Sequence, residues 1–71
     1  MGQKNEFGMR LRSIRELRKL SQKRLAALAG VSQPTLSRIE EGIYLPQFRT
    51  LARIAAALGV GLDDLAKKHS P

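Results

Sequence analysis

Residues 21–42 read SQKRLAALAGVSQPTLSRIEEG, and their spacing predicts two short helices joined by a tight turn. Ser21 is placed to accept a hydrogen bond from a free backbone N–H of the first turn. Leu25 and Leu28 share one face, among Ala26, Ala27 and Ala29. Alanine favours helix, and its small side chain lets a second helix come close. Gly30 suits the left-handed residue that ends a helix. Val31 is expected to turn inward and Ser32 to cap the next helix. Pro34 falls in that helix's first turn, where its missing N–H costs little. Leu36 and Ile39 face the core, and Gly42 closes the segment.

At about 100° per residue, Ser32, Leu36 and Ile39 occupy the inner arc of the second of these helices. Pro34, Ser37, Arg38 and Glu41 lie opposite, with Gln33 and Glu40 on the shoulders. Such an outer face can donate and accept hydrogen bonds. Glutamine matches the N6/N7 edge of adenine, and arginine matches guanine or a phosphate. The pattern is that of a helix-turn-helix laying its second helix in the DNA major groove. An ordinary solvated helix face would satisfy the spacing as well.

The charge bears on that choice. The chain has 71 residues, 13 Lys and Arg against 6 Asp and Glu, and a net charge of +7. Arg10, Arg12, Arg15, Arg18, Lys19, Lys23 and Arg24 crowd its first third, which points to a polyanionic partner. A membrane surface fits less well, because the apolar face of the basic first helix is needed for a small core. This length allows one domain. The absence of cysteine excludes disulfides and thiolate metal sites. The one histidine, His69, sits near the end of the chain, so neither a histidine metal cluster nor any cofactor is expected. No apolar run reaches membrane-spanning length and nothing after Met1 has the form of a signal peptide, so the expected compartment is the cytoplasm.

Outward from the central pair, residues 1–5 are polar and expected to be a disordered arm. A first helix is predicted from about Glu6 to Lys19, with Phe7, Leu11, Ile14 and the stem of Arg18 on its inner stripe, Met9 pointing away and Leu17 at the edge. Leu20 plugs the corner that follows. Residues 43–47 form a loop punctuated by Pro46. A fourth helix runs from about Phe48 to Leu58, with Phe48, Leu51, Ile54, Ala55 and Leu58 as its stripe, and Gly59 stops it. Val60 packs inward and Gly61 opens a fifth helix. Asp63 and Asp64 occupy that helix's positive end, Leu62 and Leu65 face the core, and Lys67 and Lys68 suit its far end. The fold class is all-α: a compact bundle of five short helices, with helices two and three forming the helix-turn-helix. The domain spans residues 6–68, and residues 69–71 are expected to fray.

With these blocks in place, the chain resembles the lambda-repressor-like, Cro/Xre-type helix-turn-helix domains. The resemblance rests on FGMRLRSIRELRKLSQKRLA, AGVSQPTLSRIEEG, PQFRTLARIAAALGV and LDDL, at matching spacing over residues 6–66. It implies that Gln33 reads a base and that Gln22 touches phosphate and braces Gln33. It also implies base or phosphate contacts from Pro34, Thr35, Ser37 and Arg38, and a buried ion pair between Arg15 and Glu40. The rival role for Arg15 is a phosphate contact. The chain departs from the family at Arg24, where a glutamate often completes a capping box with Ser21. Lys23 and Arg24 oppose the helix dipole. Either a bound phosphate relieves that conflict, or the substitution is a tolerated surface change. The loop Ile43-Tyr44-Leu45 lacks the usual basic residues, leaving the Tyr44 hydroxyl as its DNA contact. Its apolar residues mark a dimer surface, or else they fold back onto the core.

The expected function is a sequence-specific double-stranded DNA-binding transcription regulator of repressor type, acting as a homodimer on a palindromic operator. The alternative is an antitoxin or adaptor that uses the same fold to bind a toxin or another protein. An enzyme is not expected. Asp63 and Asp64, like Glu40 and Glu41, are adjacent on a helix and diverge, so no nucleophile–base geometry can be drawn.

Overall fold

The computed structural model describes residues 6–66. Five helices follow one another: α1 (Phe7–Leu17), α2 (Gln22–Ala29), α3 (Gln33–Glu40), α4 (Phe48–Leu58) and α5 (Leu62–Ala66). No strand occurs among the described residues. The expected arm at residues 1–5, Lys67 and Lys68 at the end of the fifth helix, His69 and the fraying of residues 69–71 all lie outside the described residues.

Local chemistry sets the helix starts. The Ser21 side chain accepts from the Arg24 N–H and Ser32 from the Thr35 N–H, and Pro34 stands in the first turn of α3. At α5, the Asp64 carboxylate accepts from the Gly61 N–H at 3.0 Å.

The first four helices all stop by one device. A left-handed residue follows each of them: Lys19 (φ 59°), Gly30 (φ 73°), Gly42 (φ 81°) and Gly59 (φ 76°). The next N–H then reaches back five residues. Leu20 donates to the Arg15 carbonyl at 3.1 Å, Val31 to Ala26 at 3.0 Å, Ile43 to Arg38 at 3.3 Å and Val60 to Ala55 at 3.0 Å. This pairing satisfies carbonyls that the helix itself leaves open. Lys19 makes the turn at a steric cost that glycine avoids. It also ends α1 two residues before the expected Lys19, so the helix never carries Arg18 round onto the inner stripe.

The core takes a large side chain from every helix. Leu11, Leu25, Leu36, Ile39, Ile54 and Leu65 are fully buried, each worth roughly 1.5–3 kcal/mol of transfer free energy. Around them α1 packs on α3 and α5, α2 on α3 and α4, and α4 on α5. Several inner-stripe expectations need correction. Arg18 is exposed, and Leu17 is not at the edge but 80% exposed. Leu28 is half exposed, while Ala26 and Ala29 are buried beside Leu25, so the small face of α2 turns inward to let α4 approach. Phe48 is 70% exposed; as the first residue of α4 it lies on the right arc but beyond the end of the core. Ile43, Tyr44 and Leu45 are exposed rather than folded back, and Pro46 is the buried residue of that loop.

Candidate nucleic-acid interface

A buried polar junction fixes α3 to the rest of the fold. Arg15 and Glu40 are both below one-tenth exposed. Arg15 Nε donates to Glu40 Oε2 at 2.6 Å and Nη2 donates to Oε1 at 3.0 Å, the two-pronged fit of guanidinium to carboxylate. Its Nη1 donates to the Leu20 carbonyl at 2.7 Å, at the corner between α1 and α2. Gln22 Nε2 completes the cluster by donating to Glu40 Oε1 at 3.1 Å. Gln22 therefore braces the ion pair rather than Gln33. The hydrogen bond to Glu40 pushes the Arg15 guanidinium above the ordinary arginine range, against the opposing effect of burial. Among the described residues, no buried side-chain nitrogen or oxygen lacks a partner.

Gly8 lets α1 lie this close. It is buried, and a Cβ built on it would meet the Ile39 carbonyl oxygen and stand 2.6 Å from the Glu40 carbonyl oxygen. The last turn of α3 rests on bare backbone of α1. The sequence signal for this was a glycine inside a predicted helix, where it is intrinsically unfavourable.

The opposite side of α3 faces solvent. Gln33, Pro34, Arg38 and Glu41 are exposed there. Thr35 and Ser37 are half-buried and turn to either flank. Thr35 joins Arg38, Ile43 and Tyr44 around one open recess of about 440 Å³. Ser37 joins Met9, Arg12, Arg15, Gln22, Glu40 and Glu41 around a second of about 510 Å³. The Thr35 hydroxyl oxygen accepts from Ser32 Oγ at 2.8 Å, and Ser37 Oγ donates weakly to Glu41 at 3.5 Å. Gln33 and Arg38 make no side-chain hydrogen bond or ion pair among the described residues.

The start of α2 opens beside this face, since Gln22 belongs both to its first turn and to the second recess. Lys23 and Arg24 are exposed there and no acid occupies the turn, so backbone N–H groups and two cations act together. Not every arginine of α1 is free for a polyanion. Arg10 Nη1 donates to the Leu65 carbonyl at the end of α5, at 3.0 Å, and Arg12 pairs with Glu16 at 3.2 Å. Sequence reading missed the Arg10 tie, because residue 65 returns to α1 only in the folded chain.

Residues 11–65 match the family model described as Helix-turn-helix. The chain belongs to that helix-turn-helix family. It is 43% identical over 63 residues to the immunity repressor protein of Bacillus phage phi105, covering 89% of this chain and 44% of that one. It is 41% identical over 63 residues to the HTH-type transcriptional repressor RghR of Bacillus subtilis, covering 87% and 47%. This chain therefore spans less than half the length of either relative. In three dimensions it is similar to the P22 c2 repressor solved with a synthetic operator, with a TM-score of 0.81, 31% identity and coverage of 86% of this chain and 92% of that one. These helix-turn-helix relatives are repressors rather than enzymes. Among the described residues, no helix is long and apolar enough to cross a membrane.

Proposed function

We propose that this helix-turn-helix chain is a sequence-specific double-stranded DNA-binding transcription regulator of repressor type. In this reading α3 enters the major groove, with Gln33 and Arg38 reading base edges and Pro34 offering apolar contact to a thymine methyl. Gln22, Lys23 and Arg24 hold phosphate at the start of α2, and Thr35, Ser37 and the Tyr44 hydroxyl serve as flanking contacts. The carrying observation is the contrast across α3. Its inner side is locked by Arg15, Glu40 and Gln22, while the exposed side chains of Gln33 and Arg38 make no hydrogen bond or ion pair among the described residues.

The working unit is a homodimer on a palindromic operator, in the cytoplasm with the DNA it reads. Exposed Leu45 and Phe48, on either side of buried Pro46, supply the surface for the second copy.

The test is selection of bound duplexes from a random library, followed by affinity against salt. One enriched motif is expected, with affinity falling at least about a hundredfold between about 50 and about 200 mM salt as phosphate counterions are released. A flat salt dependence with no enriched sequence would sink the reading and favour a protein-binding adaptor or antitoxin.

A further inference from the structure

The carboxyl end of α3 differs from those of α1, α2 and α4. Leu20, Val31 and Val60 each follow a left-handed residue, and each packs against the core. Ile43 holds the same position after Gly42, yet 63% of its surface is exposed. Burial therefore does not account for an isoleucine here.

The backbone holds Ile43 beside the last turn of α3, because its N–H is bonded to the Arg38 carbonyl. In this type of helix ending, the apolar residue and the residue whose carbonyl it bonds commonly lie side by side. Here the second residue is an arginine with no internal partner among the described residues. Ile43 and Arg38, with Thr35 and Tyr44, surround one recess that opens to solvent. An arginine must give up rotamer freedom before its planar fork can bind a base edge. An apolar wall on one side removes part of that freedom in advance, and such preorganisation raises affinity.

We infer that Ile43 is a positioning residue for base reading, walling the recess so that the Arg38 guanidinium is held toward a guanine in the major groove. The inference rests on the DNA-binding reading above. Guanine is favoured because Arg38 follows Pro34 by four residues and so shares its outward face, and because O6 and N7 of guanine fit the two-pronged donor.

The experiment is a double-mutant cycle on a duplex that the unsubstituted protein selects from a random library. Ile43→Ala, Arg38→Ala and the double variant are compared, with Ile43→Val as the conservative rescue and thermal melts as the folding control. Ile43→Ala is expected to weaken binding about tenfold and to flatten the preference at one G·C pair. In the Arg38→Ala protein the same change is expected to alter binding less than about twofold. Ile43→Val should keep the preference, and all melts should stay close to the parent. Equal losses from Ile43→Ala in both backgrounds, as a contact with DNA or a second copy independent of Arg38 would give, overturn the inference. So does no loss in either. Failure of the DNA-binding reading has a separate signature: the unsubstituted protein would enrich no sequence, and both proposals would fall.

Discussion

Gln33 is the side chain on which base choice is expected to turn. It is exposed at the first position of α3, and its side chain makes no hydrogen bond among the described residues, so removing its amide leaves the fold intact. Gln33→Ala is predicted to cost about 1–3 kcal/mol on the preferred duplex and to relax choice at a single base pair. Binding isotherms on duplexes varied at each position check this; an equal loss on every sequence would make Gln33 a backbone contact. Glu40 is the reverse case. Glu40→Gln would leave the Arg15 guanidinium buried beside a neutral amide, and breaking a buried pair costs about 3–5 kcal/mol. For a domain this small the melting temperature should fall by more than about 10 °C, while an unchanged melt would deny the pair a structural role. Arg15 itself adds no pH dependence in the ordinary working range. Its folded value is raised, so its contribution is lost only as pH climbs past the already high arginine range.

At the scale of elements, the end of α1 is the weakest of the four left-handed stops, since Lys19 takes φ 59° where the others use glycine. Lys19→Gly removes the steric penalty but loosens the unfolded chain. The net expectation is a gain of about 0.5–1 kcal/mol, read as a melting temperature raised by a few degrees; a lower one would mean that the lysine side chain holds the corner. These stops explain why some elements could be read from sequence and others only in part. Gly30 and Gly59 announced the ends of α2 and α4, because positive φ has a strong residue preference. Lys19 carries no such signal, and the expected helix ran on past the turn. Leu25 and Leu28 suggested an inner face by bulk; Leu25 is buried as expected, but close approach of α4 rewards Ala26 and Ala29 rather than Leu28. The α3 face was legible because Ser32, Pro34, Leu36 and Ile39 fix its start and its rotation. The Gly8 contact and the Arg10 tie to Leu65 were not, because both depend on where a distant element comes to rest.

At the scale of the molecule, two-fold DNA sites place recognition helices about 34 Å apart. One copy measures 32 × 27 × 23 Å, dimensions of the same order as that spacing. Leu45→Asp, at a residue 56% exposed, is predicted to leave the fold intact and to shift sedimentation toward monomer. On a full palindrome it should bind at least about tenfold more weakly, while a single half-site is little affected; equal effects on both would move the dimer surface elsewhere. The solvent-facing outer side of α3 has a consequence for how such a chain can change. Gln33, Pro34 and Arg38 are exposed, and substitutions at sites of that kind usually move stability by no more than about 0.5 kcal/mol. The buried Arg15–Glu40 pair, braced by Gln22, keeps the helix in place whichever side chains it displays. On the proposed DNA-binding reading, operator choice can therefore drift, or be redesigned, one outward residue at a time, with each intermediate still a folded protein.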